Sequence, residues 1–131
     1  MNIGQAARSS GVPAKTIRYY EGIGLIAPAR RSESGYRVYG GTDIETLRFV
    51  QRARALGFSI AEVTSLLALW RDRERESAQV KQLARDHVER IDAKIDELKS
   101  MRATLTHLIE RCHGDARPDC PILDDLAQRR A

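Results

Sequence analysis

Nine residues, Ala84, Val88, Ile91, Ile95, Leu98, Met101, Leu105, Leu108 and Cys112, recur at intervals of three or four along one stretch of this chain. That rhythm places them on one stripe of an α-helix. A helix over 77–111 that carries this stripe runs roughly 50 Å, at about 1.5 Å per residue. The rest of a 131-residue chain forms too small a body to cover it. The stripe is narrow, like the seam of a coiled coil. It predicts a long helix over 77–111 that pairs with a second copy of the chain.

The seam ends in one of only two cysteines. Cys112 and Cys120 have seven residues between them, in Cys112-His113-Gly114-Asp115-Ala116-Arg117-Pro118-Asp119-Cys120. Pro121 suits the first turn of a new helix, so 121–126 is predicted as a short helix with Cys120 at its N-cap. Free N–H groups and the positive dipole end there favour a thiolate. No apolar run reaches membrane-spanning length. The first ten residues lack the apolar stretch of a signal peptide. The expected compartment is the cytoplasm, with no membrane partner, where thiols stay reduced. Metal binding or redox sensing is then expected over a structural disulfide. Thiolate sulfur is soft and selects Cu(I) and similar ions over hard cations. Two thiolates suit a linear monovalent ion, whereas a tetrahedral zinc site wants about four ligands. His113 reads as a loop-surface residue and His107 as solvent-facing. His87 falls on or near the seam and is a candidate interface group.

The other half of the chain has a different character. Residues 1–60 carry nine Lys/Arg against four Asp/Glu, and residues 61–131 carry 13 against 14. The basic excess points to a polyanion partner for the N-terminal half. Residues 3–10 read as a short helix with Ile3, Ala6 and Ala7 on one face. Gly11-Val12-Pro13 reads as a turn, and 13–22 as a second helix whose inner face is Ile17 with one ring of Tyr20. Two short helices joined by a tight turn make a helix-turn-helix pattern. Arg30 to Tyr39, bracketed by Pro28 and Gly40-Gly41, reads as a small basic hairpin turning at Ser34-Gly35. Thr42-Asp43-Ile44-Glu45 has capping-box spacing and opens a helix to Leu56. Ser59-Ile60-Ala61-Glu62 repeats the device and opens a helix to about Trp70. Its stripe is Ile60, Val63, Leu66, Leu67 and Trp70. The expected fold is mostly α. It has a winged helix-turn-helix DNA-binding domain (1–70), a polar hinge (71–76), a long dimerisation helix (77–111), and a metal-binding loop with a short helix and tail (112–131).

This order of elements resembles MerR-type transcriptional regulators. Thr16-Ile17-Arg18-Tyr19-Tyr20-Glu21 with Gly24-Leu25-Ile26 is similar to that family's recognition-helix signature, and Arg31 to Tyr39 to its wing. Cys112, Gly114-Asp115 and Asp119-Cys120-Pro121-Ile122 resemble its Cu(I)-sensing, CueR-like branch. The resemblance covers essentially the whole chain. It implies a homodimer with antiparallel long helices and binding to double-stranded promoter DNA with an overlong spacer. It further implies RNA polymerase as the partner at the promoter, activated when the metal-bound dimer distorts the DNA. Cu(I) is the implied inducer, with Ag(I) and Au(I) open as alternatives. Divalent-sensing relatives place a cysteine near the start of the dimer helix. Ser77 stands in that region here, and this favours a monovalent ion. An antiparallel pairing centred near Ile95 brings Ser77 of one chain to Cys112 of the other.

The expected metal ligands are therefore Cys112 and Cys120, with Ser77 beside the site. The expected DNA contacts are Lys15 and Arg18 on the second helix, Arg31, Tyr36 and Arg37 on the wing, and whichever of Tyr19 and Tyr20 is exposed. For Tyr39, core packing of the wing is at least as strong a reading. Two rivals stay open. One is a thiol redox regulator of the same fold using a Cys112–Cys120 disulfide. The other is a small thiol enzyme or metal-binding protein without DNA binding. No cysteine is paired with a histidine in a catalytic pattern beyond bare adjacency at His113, so no enzyme activity is expected.

Overall fold

A computed structural model describes residues 1–128. It falls into two compact units, Met1–Val80 and the chain from Lys81 on. The first contains α1 (Ile3–Ser10), α2 (Ala14–Gly22), strands β1 (Arg30–Arg31) and β2 (Arg37–Val38), α3 (Gly41–Ala55) and α4 (Ile60–Arg71). Then come α5 (Ser77–Arg111), whose first turn belongs to the first unit, and α6 (Pro121–Leu126).

Local chemistry sets the helix boundaries. The Asn2 side chain accepts from the Gln5 N–H, and the Gln5 side chain accepts from the Asn2 N–H, each at 2.9 Å. This reciprocal cap starts α1, and the sequence reading passed over it. Gly11 ends α1 in the left-handed region, at φ 77°, where a side chain would be strained. Pro13 is the N-cap of α2, so that helix starts one residue later than expected. At α4 the expected box forms: Ser59 and Glu62 bond each other's N–H groups at 3.0 and 3.1 Å.

The start of α3 departs from the expected Thr42–Glu45 box. The N-cap is Gly40, and the Asp43 carboxylate accepts from the Gly40 N–H at 2.8 Å. Thr42 lies inside the first turn, where its carbonyl accepts the Thr46 hydroxyl at 3.0 Å. Two glycines before Thr42 let the chain enter the helix earlier, and that hands the capping role to Asp43.

α1 packs on α2 and α3, and α3 on α4. Ala6, Val12, Ile17, Leu47, Val50 and Val63 are completely buried at the centre of this unit. Arg48 ties α3 to the end of α1 by donating from two nitrogens to the Ser9 carbonyl, at 3.0 and 2.8 Å. In α4, Val63 and Leu67 fill the core. Trp70 stays 40% exposed but stacks on Phe49, with ring centroids 4.5 Å apart.

The wing is shorter than its sequence suggests. Arg30 pairs with Val38 and Arg31 with Arg37 in a two-stranded antiparallel ribbon. The turn is closed by Ser32 N–H to the Tyr36 carbonyl at 2.7 Å and Gly35 N–H to the Ser32 carbonyl at 2.9 Å. Gly35 takes φ 83°, the positive value such a turn needs. So short a ribbon is not stable alone. It is held at its base, where the Tyr39 N–H donates to the Met1 carbonyl at 2.7 Å and the Met1 amino group to the Tyr39 carbonyl at 2.9 Å.

In the second unit, α5 is 35 residues long, about 50 Å. Val88, Ile91, Ile95, Leu98, Met101 and Leu105 are 40–54% exposed on the single chain. Leu108 and His87 are buried, so His87 is covered without a second copy. α6 begins at Pro121 with Cys120 as N-cap, as expected.

The capping difference at α3 has a measurable consequence. Asp43→Ala should destabilise the protein by about 0.5–1 kcal/mol through the lost cap and dipole interaction. Thr42→Ala should change stability by less than about 0.5 kcal/mol. Urea denaturation of both variants checks the order, and a larger loss at Thr42 would restore the original box.

Candidate nucleic-acid interface and thiol loop

One arginine of the wing is held by a nearly buried acid. Glu21 is in the last turn of α2, and its side chain is only 7% exposed. Its Oε2 pairs with Arg37 Nε at 3.2 Å, while its Oε1 accepts the Tyr39 hydroxyl at 2.6 Å. One carboxylate thus joins the helix-turn-helix to β2 and to the residue that follows it. The sequence places Glu21 at the end of the recognition-helix signature but gives it no role of its own. The available signal was an acidic residue directly after Arg18-Tyr19-Tyr20 in a basic half.

Lys15 and Arg18 are exposed on α2, as a contact helix requires. Of the adjacent tyrosines, Tyr19 is 57% exposed and Tyr20 is 6% exposed. Tyr20 is therefore the inner-face ring, as read for α2, and drops out of the DNA contacts. It stands three residues after buried Ile17, on the same helix face, and packs into the hydrophobic cluster. Tyr36 at the wing tip is 74% exposed. Arg31 is exposed and donates from Nη1 to the Gly35 carbonyl at 2.8 Å, bracing the turn. Tyr39 is 3% exposed, a packing residue with a polar handle. Lys15, Arg18, Tyr19, Arg31, Tyr36 and Arg37 remain available to an external polyanion.

Cys112 follows the last residue of α5, and its N–H donates to the Ile109 carbonyl at 3.1 Å. Cys120 ends the loop, and its carbonyl accepts the Asp124 N–H at 3.0 Å, opening α6. Both thiols are free and half-buried. The Cys120 side chain makes no capping hydrogen bond, so the α6 amides are not engaged by sulfur in this structure. Between the cysteines, Gly114 takes φ 68°. Asp115 accepts from the Arg117 N–H at 2.9 Å and from its Nε at 2.8 Å. His113 and His107 are exposed. Among the described residues, no group of three or more His, Cys, Asp or Glu is placed to hold a metal ion. The soft donors in the loop are thus two thiols, a set that fits a monovalent soft ion better than a four-ligand divalent one. Ser77 is the first residue of α5 and is exposed. No described helix is long and apolar enough to cross a membrane.

Comparison with known proteins fits both halves. Residues 1–69 match the family described as MerR HTH family regulatory protein, and residues 44–108 match the one described as MerR, DNA binding. The chain is 56% identical over its whole length to heavy metal-dependent transcription regulator 2 of Rhizobium meliloti, covering 89% of that protein. It is 42% identical to the transcriptional regulator CueR of Salmonella typhimurium, over 97% of this chain and 92% of that one. Its fold is similar to that of the lead(II)-bound transcription regulator PbrR691 of Ralstonia metallidurans CH34. There the TM-score is 0.83 and the identity 29%, over 96% of this chain and 98% of the other.

The Tyr39–Glu21 contact also predicts a pH dependence. Burial first, and then the hydrogen bond and charge of Glu21, push the Tyr39 hydroxyl well above its ordinary range; Arg37 and Arg18 pull the other way. The folded-state value exceeds the unfolded one of about 10. The contact therefore stabilises fully below that pH and is lost as pH rises beyond it. Tyr39→Phe should be less stable at neutral pH and should lose less stability between pH of about 9 and 11. Urea titrations across that range check this, and parallel losses in both proteins would refute the coupling.

Proposed function

This chain belongs to the MerR family of helix-turn-helix transcriptional regulators, and from that premise we propose that it is a Cu(I)-responsive activator of metal-efflux or detoxification promoters. It is a metal-responsive, DNA-binding regulator and not an enzyme. The observation that carries the copper reading is the pair of half-buried thiols, Cys112 after α5 and Cys120 at the start of α6. A soft monovalent ion bound there supplies a link between the two ends of the loop. Ag(I) and Au(I) share that chemistry and are the alternative inducers.

In this reading 1–70 binds DNA, 71–76 is a hinge, 77–111 pairs two copies, and 112 onward senses metal. The open seam of α5 supports a homodimer, since six large apolar side chains otherwise stay in water. Ser77 and Cys112 mark opposite ends of α5. A site containing both requires an antiparallel coiled coil, so that the Ser77 hydroxyl of one copy lies beside the thiols of the other. Lys15, Arg18 and Tyr19 on α2, with Arg31, Tyr36 and Arg37 on the wing, contact the duplex. Most of these contacts go to phosphates. The metal-loaded dimer favours a distorted promoter over a relaxed one, and RNA polymerase then engages it. Only that difference in preference shifts the equilibrium. The cytoplasm is the compartment that keeps both thiols reduced.

Two measurements test this. Cys112→Ser and Cys120→Ser should each lower Cu(I) affinity by orders of magnitude, read by titration of the reduced protein against a competing chelator. Each should keep DNA binding. A Cys120→Ser protein with unchanged affinity would overturn the thiol site, and a reduced protein holding no copper would favour the redox rival. Leu98→Asp would bury a charge in the seam at a cost of several kcal/mol. Sedimentation should show monomer at concentrations where the unmodified chain is a dimer, and an unchanged dimer would refute the seam.

A further inference from the structure

A nearly buried carboxylate is a poor neighbour for DNA, because it repels phosphate and costs desolvation. Glu21 nonetheless sits between the helix-turn-helix and the wing. Its two oxygens are used differently: Oε1 takes the neutral Tyr39 hydroxyl and Oε2 takes the Arg37 guanidinium. The ion pair is made through Nε at 3.2 Å, the nitrogen nearest the side-chain stem. A guanidinium has five N–H donors in one rigid plane. With Nε as the nitrogen nearest the carboxylate, the two terminal nitrogens, with four N–H groups, can turn to an outside acceptor.

We propose that Glu21 is a positioning residue that fixes the plane of Arg37, so that the terminal nitrogens of the guanidinium are presented as a fork to a DNA phosphate. The inference rests on the reading above, in which Arg37 contacts DNA. Tyr39 holds the other oxygen, so the carboxylate cannot swing away with Arg37. The Arg37 side chain is 30% exposed, against 7% for Glu21. The acid is thereby shielded from the duplex while the base reaches it. Freezing a long side chain beforehand removes part of the ordering cost of binding. A lysine could not replace Arg37 here, because a single ammonium group cannot offer a rigid fork while held from behind.

Phosphate contacts carry no sequence information, so a random-sequence duplex of about 30 base pairs is a sufficient probe, with affinity measured by anisotropy across a salt series. Arg37→Ala should weaken binding and flatten the salt dependence by about one counterion. Glu21→Gln should weaken binding about five- to ten-fold and flatten the salt dependence in the same way, although it removes a negative charge. In the Arg37→Ala background, Glu21→Gln should add less than about two-fold, the mark of two residues acting as one. An equal loss in both backgrounds would make Glu21 a purely structural tie and overturn the proposal. Tighter binding by Glu21→Gln would overturn it too, by showing simple charge repulsion. An unchanged salt dependence in Arg37→Ala would instead remove the Arg37 contact itself. Arg37→Lys gives a second route that leaves Glu21 in place, for the case that Glu21→Gln fails to fold. It should bind within about two-fold of Arg37→Ala, and binding like that of the unmodified chain would contradict the proposal.

Discussion

Water along the apolar seam of α5 is the constraint on which the rest of the molecule depends. Each large apolar side chain is worth roughly 1.5–3 kcal/mol when fully buried. Val88, Ile91, Ile95, Leu98, Met101 and Leu105 realise only part of that in a single chain. The proposed dimer covers them and gives the helix its reason to be long. It also sets the geometry at both ends. Antiparallel pairing puts the start of one α5 beside the end of the other, where the thiol loop begins. Two copies further present two winged helix-turn-helix units, the arrangement that half-sites on a duplex demand.

The two functional regions manage charge in opposite ways. In the first unit one nearly buried acid, Glu21, holds one arginine of a basic surface and ties the wing to α2 through Arg37 and Tyr39. In the thiol loop the expected occupant is a cation. Two thiolates with one monovalent ion leave a single negative charge, and a fully buried, uncompensated charge costs several kcal/mol. Cys112 and Cys120 are half-buried on the single chain, which keeps that cost down. In the proposed dimer the Ser77 hydroxyl of the second copy is a polar neighbour that offsets what further burial adds.

The large elements were legible because their signals are periodic. The three-and-four spacing along α5, the Ser59–Glu62 cap and Pro121 after Cys120 are such local signals, and the helix and the two helix starts appear as read. The misreadings came where two local options competed. Thr42 and Asp43 both suit a helix start, and the preceding glycines decided for Asp43. Tyr19 and Tyr20 are chemically alike, and only packing against the core distinguishes them. The role of Glu21 was not legible because it needs two partners, Arg37 and Tyr39, 16 and 18 residues away. A contact of that range leaves no periodic trace. In the thiol loop, residue types were readable as soft donors, while the bracing of Asp115 by Arg117 was not.

In the proposed mechanism metal changes the shape of a bound promoter and leaves the protein in place. Footprinting one promoter with the reduced dimer, with and without Cu(I), tests it most directly. Nearly equal occupancy is expected in both states, with new hypersensitive positions in the DNA spacer only with Cu(I), accompanied by transcription. Release of the protein from DNA on adding Cu(I), without distortion and without activated transcription, would contradict it and replace activation by derepression.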